Sequence, residues 1–396
     1  MSETAVQPAG VFDVAIVGGG PVGASLACAL SPLGLNIAVV EAVPPRAEAQ
    51  PSYDDRTLAL SASSCRILQG LGIWPLLRDH VTAIREITVT ERSRPGQVVL
   101  QANEVGLDRF GHVVEARAFG SAVMQRMAAM RSVELICPAT VTAIECDDHA
   151  ARLQYSRQDQ LHCLEARLLV GADGAESAVR TALGIAVTRH DYRQSAVICN
   201  VSTQRPHRGR AFECFTATGP FALLPHANDR CGLVWSVASE SAAALLDLPD
   251  EEFLRRAQAL FGNALGAWTR VGRRSVYPLR LVRALEDVRP RAVIIGNAAH
   301  AIHPVGAQGF NLGLRDVAAL AEVIAEALRR DRRADIGAAE LLRAYSDWRA
   351  PDHAATIAWA DGLVRLYANP TGLAAAARGL GRLGAARVAP QTPRPA

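Results

Sequence analysis

Apolar residues in this chain come in short runs that stop at glycine, and a pattern of longer period follows each stop. Residues 12–17 (F-D-V-A-I-V) make the first run, closed by G-G-G-P-V-G at 18–23, and residues 24–33 then read as a helix. A second run, Ile37–Val40, ends at Glu41. A third, 168–170, runs into Gly171-Ala172-Asp173-Gly174, with Ser177 and Arg180 close behind. The fourth, 293–295, is broken by Gly296 and followed by the polar Asn297. Pro304, Gly306 and Gly309 make a loop after it, and Leu314, Val317, Ala321, Ile324 and Leu328 recur at helical spacing, so a helix is expected from near Phe310. Repeated strand, loop and helix of this kind belongs to an α/β sheet with ligands at the strand ends.

Between these units the pattern changes. A helix is expected over 63–71, strands over 84–90 and 98–101 around an Arg94-Pro95-Gly96 turn, and a helix over 118–130 with Arg117 just before it. Alternation predicts strands at 141–145 and 151–155. From 195 to 281 the chain reads as strands and turns, with Asn228-Asp229 as a hairpin turn between 221–224 and 231–237, and one helix over 249–261. Residues 338–366 read as helical, with Pro351 marking a kink or break. The organisation implied is a cofactor domain of 1–75, 106–182 and 285–337, and an inserted β-rich domain of 76–105 and 183–284. A helical segment, 338–385, and a disordered tail, 386–396, complete it.

Composition narrows the function. The 396 residues are 49% apolar with a formal charge of only +3, which gives no case for nucleic acid as a partner. The chain has no Lys, so its basic residues are all Arg. Eight Cys are scattered without a C-x-x-C, and no Cys/His spacing suggests a metal. The polar start lacks a signal-peptide core, no apolar run reaches membrane-spanning length, and reduced thiols in a cytoplasm are expected. Arg378, Arg382 and Arg387 near the end suit either a solvated tail or an anionic membrane surface.

The glycine motif carries the first chemistry. Gly18 allows a tight turn, Gly20 lets a pyrophosphate approach, Gly23 lets the helix pack closely, and Glu41 stands where a ribose hydroxyl needs an acceptor. This motif alone does not separate FAD from NAD. Asp173 at a later strand end is a ligand contact, a helix cap or both. Arg56 has either a phosphate or ring carbonyl, or an ion pair with Asp54 or Asp55. Arg117 faces a ligand or solvent. Three strand ends in a row suit one extended cofactor, and FAD has that shape. The helix start after Gly309 favours an electron-rich ring that becomes anionic on reduction. His226 and Tyr277 are the polar residues to watch in the β-rich block, and His303 near the ring loop, although a lone His is more often structural.

Taken together, G-G-G-P-V-G at 18–23, G-A-D-G at 171–174 and G-N-A-A-H…P-V-G-A-Q-G-F-N-L-G-L-R-D at 296–316 resemble the class A flavoprotein aromatic hydroxylases, with the para-hydroxybenzoate hydroxylase fold. C-G-L-V-W-S at 231–236 and D-H-A-A-T-I-A-W-A-D-G-L-V-R-L-Y-A-N at 352–369 narrow the resemblance to the UbiH family of ubiquinone-biosynthesis hydroxylases. That resemblance implies an α/β fold, a Rossmann-like FAD-binding domain with an inserted β-rich substrate domain and C-terminal helices. It also implies roles for the motif residues. Gly18, Gly20 and Gly23 would hold the pyrophosphate, Glu41 the ribose, and Arg56, Arg117 and Asp173 further parts of FAD or NAD(P)H. Asn297 stands where the broader class has Asp and would bond the ribityl chain. The stretch 304–311, with Pro304, Gly306, Gln308, Gly309 and Asn311, would line the isoalloxazine ring. The reaction implied has NAD(P)H reduce the flavin and O₂ give a flavin hydroperoxide. One oxygen then passes to a phenol ring, that of 2-polyprenyl-6-methoxyphenol. The same chemistry at another ring position or on a soluble phenol, and a non-catalytic flavin-binding scaffold, are the alternatives. The substrate's prenyl tail implies peripheral contact with the inner face of the cytoplasmic membrane or membership of a quinone-pathway complex, and a homo-oligomer fits too.

Overall fold

The computed structural model describes residues 7–44, 56–92 and 94–368. Asp54, Asp55, most of the 44–51 loop, the arginines at 378, 382 and 387, and the expected tail lie outside them.

The short apolar runs are the middle of one sheet. Its path is Val288–Arg289, Ala292–Ile294, Gln160–Gly171, Gln7–Val17, Ile37–Val40, Val133–Ile136. From Ala292–Ile294 to Val133–Ile136 the four pairings are parallel, so five strand ends point the same way. Parallel strands need cover on both faces. Helices Pro21–Leu30, Ala116–Ala128 and Gln308–Arg330 bury Val14, Ile16, Ile37 and Val170 on one face. The antiparallel strands Thr140–Cys146 and Ala151–Arg157 bring Ile144 and Leu153 to the other face, over Ala15, Val40 and Ile294.

The 195–281 block builds most of a nine-stranded sheet, and the Asn228-Asp229 hairpin forms as the sequence implies. Both turn residues adopt left-handed φ (59° and 55°), the geometry that suits a tight hairpin. Helices Ser239–Leu246 and Asp250–Phe261 cover this sheet's outer face. A small sheet of Thr57–Ser61, Gly111–Glu115 and Thr82–Ile84 lies between the larger ones in chain order.

Several boundaries differ from the sequence reading. The first helix begins at Pro21, because proline at a helix's first position gives up an N–H that has no partner there anyway. The expected 84–90 strand is two, Thr82–Ile84 and Glu86–Glu91, since the chain changes sheets at Arg85. Arg94-Pro95-Gly96 starts the edge strand Arg94–Gln101, where a proline costs no ladder bond, and the turn comes earlier. Arg117 lies inside its helix, in the first turn. The helix expected from Phe310 starts at Gln308, so Gly309 is helical. Pro351 does not break the helix Ala339–Ala368; it sits on the exposed side, where water can take the carbonyl it frees.

Candidate active site

Four of the five parallel strand ends run into the segments that carry the sequence motifs. Gly18 has φ +101°, and a Cβ there would lie 2.4 Å from the Ala172 carbonyl oxygen, so the first glycine turn is packed on the G-A-D-G segment. A Cβ at Gly23 would lie 1.9 Å from the Gly18 carbonyl oxygen. Gly20 is the N-cap residue of Pro21–Leu30, and no side chain caps that end, which leaves the helix start for an anion. Glu41 is already engaged. Its Oε2 accepts from the Gly19 N–H at 2.7 Å and its Oε1 from the Val43 N–H at 2.8 Å. The carboxylate therefore pins the glycine turn to the second strand, and each oxygen keeps a lone pair for a hydroxyl donor.

At the third strand end, Asp173 Oδ2 accepts from the Val179 N–H at 3.0 Å, while Ser177, not Asp173, is the N-cap residue. Asp173 Oδ1 is buried without a hydrogen-bond partner among the described residues. That oxygen has acceptor capacity to spare at the carboxyl end of a parallel strand. The buried Arg180 donates to the Ala298 and Ala175 carbonyls at 2.8 Å each, which ties this strand end to the 296–298 turn. Asn297 is exposed on that turn.

The ring loop runs from Pro304 to Gln308. Gly306 (φ +65°) and Ala307 (φ +52°) are both left-handed, and a Cβ on Gly306 would come within 2.5 Å of the Trp359 ring. Gln308 donates back to the Gly306 carbonyl at 3.0 Å. Asn311 is buried and saturated. Its Oδ1 accepts from the Ser61 N–H and the Ser64 hydroxyl (2.9 and 2.6 Å), and its Nδ2 donates to the Ala59 and Ala307 carbonyls (2.9 Å each). Its side chain thus fastens the helix start to Thr57–Ser61, and what it offers a ligand is the position of the backbone beside it. His303 is buried; its Nδ1 accepts from the Val305 N–H at 3.1 Å, and burial lowers its pKa to about 4. It is neutral at physiological pH and shapes the loop.

The other watched residues have partners of their own. His226 is buried, with its Nε2 2.7 Å from the Thr57 hydroxyl. Burial first, then Arg230 and His207, lower its pKa to about 4. Tyr277 is half-buried with the Arg56 guanidinium 4.7 Å over its ring, an arrangement neither expectation for Arg56 included. Arg117 is exposed.

Asp316 closes the third motif, where the sequence suggests no role for it, yet it is the hub behind the loop. It is fully buried. Oδ2 accepts from the Gly296 N–H (3.0 Å) and His300 Nε2 (2.6 Å), and Oδ1 from Arg349 Nε (2.8 Å) and His353 Nε2 (2.7 Å). Burial alone would raise its pKa, but the two histidines hold it well below the usual carboxylate range. His300, Asp316 and His353 are close enough to resemble a metal site. The Arg349 cation on the same oxygen as His353 makes the group a hydrogen-bonded charge cluster instead. The signal in the sequence was an acid four residues after Leu312 and four before Leu320, on the buried stripe of a helix.

Comparison with known proteins agrees with this geometry. The FAD binding domain family matches residues 11–360. The ubiquinone hydroxylase UbiL of Rhodospirillum rubrum is 39% identical over 94% of this chain and 85% of that protein. The 3-demethoxyubiquinol 3-hydroxylase of Escherichia coli is 34% identical over 80% of each. The p-nitrophenol 4-monooxygenase PnpA of Pseudomonas putida has the same fold, with a TM-score of 0.78, 18% identity and coverage of 96% of this chain and 94% of that one. The glycine turn and strand ends are those of a flavoprotein, and the chain belongs to the FAD-binding domain family. Within that family it stands with the ubiquinone hydroxylases and is an FAD-dependent monooxygenase.

Proposed function

We propose that this enzyme hydroxylates a polyprenylated phenol of ubiquinone synthesis, 2-polyprenyl-6-methoxyphenol, with NAD(P)H as electron donor and O₂ as oxidant. The 39% identity to a ubiquinone hydroxylase over 94% of the chain is the observation that carries the substrate class. The residues fit FAD: a glycine turn without room for Cβ, an uncapped helix start, and the orphaned Asp173 Oδ1. Gly18, Gly20 and Gly23 would hold the pyrophosphate, Glu41 and Asp173 hydroxyl groups, and the 304–309 stretch the ring. Bound FAD would supply the redox chemistry, the transfer of electrons from NAD(P)H to O₂, with one oxygen atom going to the aromatic carbon and the other leaving as water.

The protein's share is placement and exclusion of water. The first turn of Gln308–Arg330 presents its N–H groups to the ring loop and favours negative charge there. Phe215, Val305, Ala360 and Val364 form an apolar cluster beside the loop, which keeps water from that flank. In this reading the strands of 76–105 and 183–284 cover the substrate, NAD(P)H docks transiently, and the prenyl tail stays in a membrane. None of the described helices is long and apolar enough to cross a bilayer, and Trp348 of Ala339–Ala368 stands exposed, a side chain suited to a bilayer surface.

The test is incubation of the FAD-loaded enzyme with the prenylphenol, NADH or NADPH, and ¹⁸O₂. One ¹⁸O in a hydroxylated product is expected, and its position gives the ring carbon. NAD(P)H oxidation that yields only peroxide with every prenylphenol tried would refute the substrate class.

A further inference from the structure

Two neighbouring rows of residues cross the same five strands of the nine-stranded sheet. Thr88, Phe212, Leu223, Leu233 and Cys199 stand side by side, and all are buried. One residue along, and so on the opposite face, stand Val89, Glu213, Ala222, Val234 and Ile198. Each of these five keeps accessible surface. Five adjacent residues left partly open in the middle of a sheet mean a hollow in front of it.

Apolar clusters bound this hollow on two sides. Phe215, two residues beyond Glu213 and about 7 Å along the strand, belongs to the apolar cluster of Val305 and Ile302 at the ring loop. Ala211, two residues before, belongs to the cluster of Ile84, Val113 and Ala59. Ala59 is the residue whose carbonyl holds Asn311 at the start of the long helix. Glu213 therefore occupies the gap between the cluster at the ring loop and the cluster at Thr57–Ser61. It is the charged member of an otherwise aliphatic row. Its Oε1 has no accessible surface and no hydrogen-bond partner among the described residues.

We propose that this hollow receives an apolar aromatic substrate and that Glu213 accepts a hydrogen bond from the substrate's ring hydroxyl. The assignment rests on the phenol-hydroxylase reading above and names the residue that would read the phenol. An aliphatic recess with one polar group is the usual composition of a small-molecule site, the polar group fixing orientation. Part of Glu213 is accessible while its carboxyl is deep, and burial pushes the carboxyl's pKa up to about 7. A buried acceptor without a donor is costly, and a hydroxyl entering the recess would relieve that cost. A phenol holds its proton to a pH near 10, so the proton stays on the substrate oxygen and no bond is broken. The hydrogen bond leans charge into the ring and sets which ring carbon faces the ring loop.

The test is a binding cycle on the FAD-loaded protein, with bound ligand measured by equilibrium dialysis. The probes are a geranyl-substituted 2-methoxyphenol and its methyl ether, which lacks the donor. At a pH of about 8.5, where Glu213 is ionised and the phenol is not, wild type should prefer the phenol by about 10-fold or more, the range for a hydrogen bond to a charged group. Glu213→Leu should bring the ratio to about 1 by weakening phenol alone, and Glu213→Gln, which keeps an acceptor and the shape, should lie between. Retained FAD content shows that a variant has folded, and if the Leu variant has not, a ratio at least threefold lower in Glu213→Gln decides. An equal phenol preference in wild type and variants overturns the role of Glu213 and leaves the hydroxylase reading standing. Wild type that retains FAD but binds neither probe overturns both.

Discussion

Replacing Asp316 with Asn probes the cluster behind the ring loop. The carboxylate accepts four hydrogen bonds, two on each oxygen. An amide keeps one acceptor and turns an NH₂ toward two donors, so at least two bonds become donor against donor. Arg349 is 5% exposed and would lose its charge partner on that side. Removing one member of a buried ion pair costs about 3–5 kcal/mol. Asp352 still holds Arg349 at 2.7 Å, so the lower end, about 3 kcal/mol, is expected. That is a large part of a native stability of about 5–15 kcal/mol. Urea unfolding of wild type and Asp316→Asn, each with and without added FAD, measures it. FAD retention should fall as well, because Asp316 joins Gly296 and His300 before the ring loop to the helix after it. The pH dependence has a definite sign. The folded pKa of Asp316 is depressed, so the unfolded chain takes up its proton first as pH falls. Its contribution is complete above pH ~4 and is lost below that. A variant within about 0.5 kcal/mol of wild type would refute the reasoning. So would a chelator that destabilises wild type as much as the substitution does, since that is the behaviour of a metal site.

Three more outcomes are expected from the geometry. Gly18→Ala places a Cβ 2.4 Å from a backbone oxygen at φ +101°, and should abolish FAD retention, read as the flavin-to-protein absorbance ratio; normal retention would count against the glycine turn as the pyrophosphate cradle. Gly306→Ala drives a Cβ into the Trp359 ring at φ +65°, and should cost about 1–3 kcal/mol. Adding Trp359→Ala should recover only the steric part of that loss, measured by thermal unfolding. His226 and His303 are held neutral, each with a pKa near 4 against 6.5 for the free side chain. Unfolding lets both take protons, so stability should be complete above pH ~6.5 and fall toward pH 4, by about 3 kcal/mol per histidine. A His226→Asn, His303→Asn double variant should flatten that slope in urea titrations, and an unchanged slope would place the acid sensitivity elsewhere.

How far the sequence discloses this molecule depends on the range of the interaction concerned. Ile37–Val40 emerges with the bounds its apolar run implies, and the Asn228-Asp229 turn forms where its residue types require it, because both are local. The helix starts are displaced by two or three residues, since a capping glycine, a proline at the first position or a left-handed Ala307 decides them and apolar spacing does not register these. The glycine turn is legible, but the double engagement of Glu41 needs the backbone of two segments in contact. Asn311 appears in the motif as a ring-loop residue, while three of its four bonds go to segments about 250 positions away.

Glu213 shows the same limit at the site itself. Residues 211–215 read A-F-E-C-F, and a charged residue among apolar ones on a strand is ordinarily read as the solvent side. Nothing local contradicts that. Only the register of four other strands shows that its neighbours across the sheet are aliphatic, and only the packing of Phe215 against the ring-loop cluster shows that its face turns inward. A surface carboxylate would have its pKa in the ordinary range and would tolerate Leu with no change in ligand preference. Glu213 departs from the first expectation through burial, and the phenol-against-ether ratio decides the second.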